Sequence, residues 1–267
     1  MRLAERPVAD RARKLGLPLY QPERPQEEEI RSLFASQRVD AAVVVAYGSI
    51  LPRELIEAPP LGFVNLHFSL LPRYRGAAPV ARAIMDGVIE TGVSTMVLTE
   101  GLDEGPVLAR RPVIVGPDET SGSLGQRLAE IGAGLLIESL RAYSEGKLKP
   151  EPQDHAAATY APKIADEEAR VTWASPRRAI RDLVHALNPA PGAWTTLRGT
   201  RLKVHGVQTS SESRKLYAGE LWAGAELWIG TADGTLALTE VQLAGRRRMT
   251  GAELARGLRL KPGETLV

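Results

Sequence analysis

The apolar positions of this chain change spacing about halfway along its 267 residues. In the first half, helix-like and strand-like spacing alternate. Residues 7–15 begin at Pro7, stop before Gly16 and predict a helix; residues 26–37, with Ile30, Leu33 and Phe34 on one face, predict a second. Leu17–Tyr20, between them, reads as a short strand. Asp40 then precedes the uninterrupted run Ala41–Ala46, which predicts a strand covered on both faces. A short helix over Pro52–Glu57 and a strand opening near Leu61 follow, then a helix from Pro79 through Met85. Gly92–Leu98 and Pro106–Val115 read as strands, and a long helix is expected over residues 121–145. This alternation predicts an α/β domain with a largely parallel sheet, whose ligands bind beyond the strands' carboxyl ends.

In the second half the period shortens. Lys147–Thr159 is polar and rich in Pro, Gln and Asp, and reads as a linker. Pro176–Leu187 predicts one helix. Short β-rich segments follow at Ala193–Leu197, Arg201–Gln208, Tyr217–Leu221, Leu227–Thr231 and Leu236–Gln242, with a hairpin signal at Asp233-Gly234. Five short strands at this spacing predict a small closed β-barrel. The expected division is residues 1–146, a linker over 147–159, and residues 160–267.

Composition narrows the class. Apolar residues make up 43%, enough for a real core. No run is long and apolar enough to span a membrane, and the amino-terminal residues lack a secretory core, so a cytoplasmic protein is expected. The chain has no cysteine, which removes disulfides, thiol nucleophiles and thiolate metal sites. Its formal charge of +2 does not by itself imply nucleic acid, and Arg246, Arg247 and Arg248 alone read as ordinary solvated surface.

Candidate chemistry concentrates where a buried strand ends. Asn65 and His67 stand at i and i+2, so a strand places an amide and an imidazole on one face. A lone histidine there is usually satisfied by the backbone, but two polar groups at a buried strand end carry a desolvation cost unless paired or used. Asp103, between Gly101 and Gly105, could cap its own loop or complete a trio. An amide donor, an imidazole and a carboxylate suit acyl transfer without a covalent intermediate: the amide stabilises an oxyanion and the imidazole–carboxylate pair moves a proton. Serine hydrolysis fits poorly, because Ser69 lacks a Gly-x-Ser-x-Gly elbow. The four histidines show no metal-ligand spacing, and there is no Walker loop and no Gly-x-Gly-x-x-Gly fingerprint.

Asn65-Leu-His-Phe-Ser-Leu-Leu-Pro-Arg-Tyr-Arg-Gly-Ala-Ala-Pro79 resembles the signature of the 10-formyltetrahydrofolate-dependent formyltransferases, and Thr91-Gly-Val-Ser-Thr-Met96 and Glu100-Gly-Leu-Asp-Glu-Gly105 continue the likeness. Ala46–Pro52, Tyr160–Ile164, Leu187–Ala193 and Glu240–Met249 resemble the branch acting on methionyl-tRNA. Phe68, Ala190, Glu104 and Pro106 depart from the family's usual pattern without removing a catalytic group. The resemblance implies a Rossmann-like catalytic domain followed by an OB-like barrel, and no metal. It implies transfer of the formyl group of 10-formyltetrahydrofolate to the α-amine of initiator methionyl-tRNA by a monomer, with Asn65, His67 and Asp103 catalytic. The folate pocket would comprise Tyr47, Gly48, Ile50, Leu51, Ser69, Leu70, Leu71, Pro72, Leu102, Glu104 and Gly105. Arg73, Arg75, Arg246, Arg247 and Arg248 would meet tRNA. Two alternatives stay open: another formyl-folate enzyme, using a small amine or water as acceptor, and a tRNA- or folate-binding module without turnover. Family members normally open with a strand, a helix, a second strand and a basic loop. On that comparison the sequence starts near the end of the loop, about forty residues in, which predicts an N-terminally truncated sheet with an exposed edge.

Overall fold

A computed structural model describes residues 7–21, 27–47, 51–209 and 215–267. The first half contains α1 (Pro7–Lys14), α2 (Glu27–Gln37), β1 (Ala42–Val45), α3 (Arg53–Ile56), β2 (Phe63–His67), α4 (Pro79–Met85), β3 (Glu90–Val97), β4 (Val107–Ile114) and α5 (Ser121–Ser144). The second half contains α6 (Arg177–Ala186), β5 (Ala193–Leu197), β6 (Thr200–Thr209), β7 (Leu221–Ala223), β8 (Leu227–Thr231), β9 (Gly234–Leu243) and α7 (Gly251–Leu258).

The first sheet has the order β1-β2-β3-β4, and only β1 and β2 run parallel; β3 is antiparallel to both β2 and β4. The largely parallel sheet expected from the alternation is therefore corrected. The connection from β2 through α4 returns the chain on the same side, and the loop at 98–106 turns β3 directly into β4. Leu17–Tyr20 forms no strand. β1 is not covered on both faces either: Val43 and Val45, which share one face, are each 45% exposed.

The two faces of β2 have different fates. Leu66 faces α5, which is capped by Thr120 and buries Leu124, Leu128, Gly132, Leu135 and Ser139 along one stripe. At Gly132 the helix lies so close that a Cβ would sit 2.8 Å from Leu66 Cδ2, which is why a glycine interrupts an apolar stripe here. Thr95, opposite Leu66 on β3, bonds Ser139 of the same helix at 2.9 Å. The other face, carrying Phe63, Asn65 and His67, is roofed by loops instead of a long helix. The Phe34 ring of α2 lies 5.8 Å from Phe63 at its far end.

The second sheet has the order β5-β6-β9-β8-β7 and is antiparallel throughout. The sharp turn joining β8 and β9 is Ala232-Asp233, with Thr231 paired to Gly234, one residue from the expected position. The expected strand at Tyr217–Leu221 is instead Leu221–Ala223. β5 and β7 do not pair, and the carboxyl-terminal residues bridge them: Val267 exchanges backbone bonds with Thr196, while Leu266 N–H donates to Gly219 O and Leu221 N–H to Glu264 O. That extra stave closes the barrel. One apolar cluster runs from Leu66 and Leu128 through Ile180 and Val184 to Leu202 and Leu254, so the halves share a core. The start of α5 docks on Asn188, whose carbonyl accepts from Gly122 N–H and Ser121 Oγ.

Candidate active site

The roofed face of β2 holds the expected trio. Asn65 and His67 are 8% and 6% exposed, and β2 aims both side chains at the loop between β3 and β4. That loop brings Asp103 between them. Its Oδ1 accepts from Asn65 Nδ2 at 3.3 Å, and its Oδ2 lies 3.6 Å from His67 Nδ1 and accepts from Gly76 N–H at 2.8 Å. Asp103 reaches this place with φ +50, in the left-handed region, at a conformational cost on the order of 1–3 kcal/mol for a residue with a Cβ. The surrounding loop compensates. A Cβ on Gly105 would run into the Val97 carbonyl, so the glycine lets the loop lie flat against β3.

His67 is held from its other side. Its Nε2 lies 2.8 Å from the carbonyl of Tyr74, an acceptor only, so Nε2 carries the hydrogen and Nδ1 is the nitrogen turned toward Asp103. Tyr74 is itself anchored by its hydroxyl, which donates to Asp86 at 2.8 Å; burial and that carboxylate push the phenol up to about 12. The loop from Ser69 to Gly76 is fixed by its own backbone. Ser94 Oγ bonds Ser69 O and Leu71 N–H, and Arg110 donates to Leu71 O at 2.6 Å.

The expected folate contacts fall into groups. Tyr47, just past the carboxyl end of β1, is 49% exposed, and Leu102, beside Asp103, is 62% exposed. Both stand at the rim, with Glu104 exposed between Asp103 and Gly105. Gly48 and Ile50 lie outside the described residues, and Leu51 is half-buried at the start of α3. Leu70 and Pro72 are half-buried in the loop. Ser69 is fully buried with its hydroxyl on Arg73 O, and Leu71 packs on Met96 and Val107, so these two shape the loop from beneath.

The arginines also divide. Arg73 is exposed, its guanidinium 5.4 Å from the Tyr74 ring centre. Arg75, expected at the tRNA surface, is 1% exposed and spends its donors inside the protein, on Gln153 Oε1 and His155 Nδ1. A buried guanidinium with its donors committed makes no phosphate contact. Arg246 and Arg247 are exposed in the turn after β9, whereas Arg248 pairs with Glu240 at 3.0 Å and donates to Pro189 O.

What sequence reasoning missed is the strap over the site. The stretch read as a linker bridges β4 through Glu151 and Val107, then inserts Gln153, 5% exposed, beneath the Asp103 loop. Thr159 then bonds Tyr74 N–H through Oγ1 and Arg75 N–H through its carbonyl. Two cavities elsewhere, of about 550 Å³ beside α2 and about 230 Å³ between α4 and α6, include none of the trio. Among the described residues no cluster of acidic or histidine side chains could hold a metal, and no helix is long and apolar enough to cross a membrane.

Residues 2–140 match the family model described as formyl transferase, and residues 163–259 match its C-terminal domain. A methionyl-tRNA formyltransferase of Heliobacterium modesticaldum is 42% identical, over 96% of this chain and 84% of its own length. One from Roseiflexus castenholzii is 44% identical, over 97% and 84%. Among solved structures, HypX from Aquifex aeolicus in complex with tetrahydrofolic acid superposes with a TM-score of 0.70 at 20% identity. That likeness covers 86% of this chain and 41% of HypX, and shows a shared fold. Family-model matches across both halves, with relatives this similar over nearly the whole length, place the chain in the formyl transferase family, alongside the methionyl-tRNA formyltransferases.

Proposed function

We propose that this chain transfers the formyl group of 10-formyltetrahydrofolate to the α-amine of initiator methionyl-tRNA, as the names of its relatives indicate. The observation that carries the mechanism is Asp103, whose two carboxylate oxygens face Asn65 Nδ2 and His67 Nδ1. The donor set fits a formyl-folate. An amide N–H is available for the formyl oxygen, a carboxylate–imidazole pair for the proton, and Tyr47 and Leu102 stand exposed for a flat aromatic body. The bound folate supplies the activated formyl carbon.

The chain's residues then do three things. Asn65 Nδ2 has one hydrogen on Asp103 and a second free for the formyl oxygen, which gains charge as the amine attacks. The amine nitrogen bonds to the formyl carbon, the bond from that carbon to the folate nitrogen breaks, and one proton must pass from the first nitrogen to the second. His67 Nδ1 and Asp103 Oδ2, 3.6 Å apart, hold that proton in transit, while the Tyr74 carbonyl keeps the ring from turning. Action as a monomer belongs to the same reading. A cytoplasmic location belongs to the same reading, since charged tRNA and reduced folate are used together there.

Incubation with 10-formyltetrahydrofolate and methionyl-tRNA should yield N-formylmethionyl-tRNA, with small amines and water much poorer acceptors. Preference for a small amine or water would replace this reading with another formyl-folate activity. Folate or tRNA binding without turnover would reduce it to a binding module. For the tRNA surface, Arg246→Glu with Arg247→Glu should weaken binding and lower the salt slope by about 1 per lost phosphate contact. Arg248→Ala, tied to Glu240, should move the slope far less. An unchanged slope in the double variant would return these arginines to plain surface.

A further inference from the structure

The buried pair Arg75 and Gln153 is not used by the mechanism above, yet it touches the catalytic loop. Gln153 Nε2 donates to the carbonyl of Asp103 at 2.9 Å and to that of Gly105 at 2.7 Å. Its two hydrogens thus clasp the loop on either side of Glu104. Its Oε1 accepts twice from Arg75, from Nε at 3.1 Å and from Nη2 at 2.8 Å. Arg75's remaining partner here is His155 Nδ1 at 3.4 Å, a neutral acceptor when unprotonated. A cation bound to the amide oxygen draws electron density from the amide and strengthens its N–H groups as donors. The order is therefore directional: guanidinium, amide, loop carbonyl. It ends on the backbone of a residue in the left-handed region, the conformation most dependent on outside support.

We propose that Gln153, polarised by Arg75, is a positioning residue for the formyl-transfer reaction: it fixes the backbone of Asp103 so that the carboxylate meets Asn65 and His67. This rests on the reading of Asp103 as a catalytic group. The amide touches no reacting atom, so its loss shows as misplacement. Gln153→Ala should lower kcat on the order of 100-fold, with KM for folate and tRNA changed less than about threefold. Gln153→Glu is the sharper variant. It keeps the shape and the acceptor for Arg75 but removes both donors, so it should lose activity as Gln153→Ala does.

The test is a double-mutant cycle on the full chain, with turnover and thermal unfolding measured for Gln153→Ala, Gln153→Glu, Asp103→Ala and Gln153→Ala/Asp103→Ala. Acting through Asp103 predicts that Gln153→Ala costs nothing further once Asp103 is gone. Multiplying losses in the double variant would overturn the proposal, as would a Gln153→Glu enzyme near wild-type turnover, which would leave only neutralisation of Arg75. Near-wild-type Gln153→Ala beside inactive Asp103→Ala overturns the proposal alone. Full activity in Asp103→Ala removes the underlying reading and the proposal with it. If Gln153→Ala fails to fold, Gln153→Glu with its own double variant decides.

Discussion

Replacing Asp103 with Asn should lower single-turnover formylation about 1,000-fold while costing no more than about 1–3 kcal/mol of stability, the cost of one buried unsatisfied donor. The substitution changes almost no volume, so packing is a poor explanation for any loss. What it changes is the polarity of one atom. Asp103 accepts at both oxygens, from Asn65 Nδ2 on one side and Gly76 N–H on the other. An asparagine offers one acceptor and one NH₂, so either way it turns, a donor confronts a donor. It also denies the proton that reaches His67 Nδ1 during transfer the charged oxygen that lies 3.6 Å away. Asp103→Glu keeps the charge but displaces it by a methylene within a loop set by Gly105, and should recover only part of the rate. An Asp103→Asn enzyme within about tenfold of wild type would move proton transfer elsewhere in the site.

How much of this was legible in the sequence depends on the range of the interaction. The shared face of Asn65 and His67 follows from strand period alone. Most strands of the barrel follow from the same period, and the long helix α5 from the residues that introduce it at Asp118–Thr120. The direction of β3 was not legible, because pairing polarity is set by how the α4 connection packs, and the spacing of apolar residues is the same either way. The burial of Arg75 was hidden for a similar reason: it sits beside exposed Arg73 in a polar loop, and only the strap carrying Gln153 separates their fates. Gln153 itself lies in a Pro-, Gln- and Asp-rich stretch whose composition reads as linker, although its amide is fully engaged. The helix α7 was within reach, since Thr250 and Glu253 form a capping box at the textual spacing that marks a helix start. The closing stave at the carboxyl end was not, because it joins β5 and β7 from far along the chain.

Asn65 gives the second large effect, and its two simplest substitutions separate its roles. Asn65→Ala removes the side-chain amide that donates to Asp103, and should cost about 100- to 1,000-fold in kcat, the range for losing a single oxyanion donor. Folate affinity should change little, because the amide matters most once charge develops on the formyl oxygen. Asn65→Asp is nearly isosteric and should be worse than alanine. It sets a second carboxylate where Nδ2 now lies 3.3 Å from Asp103 Oδ1, and two carboxylates that close cannot both ionise comfortably. The pair would share a proton near neutrality, disabling the Asp103–His67 relay, and any residual charge would repel the developing oxyanion. Raising the pH should therefore deepen the Asn65→Asp defect relative to Asn65→Ala, as the shared proton is lost and repulsion grows. A ratio of the two rates independent of pH, or Asn65→Asp more active than Asn65→Ala, would show that Asn65 does not face the negative charge of the transition state.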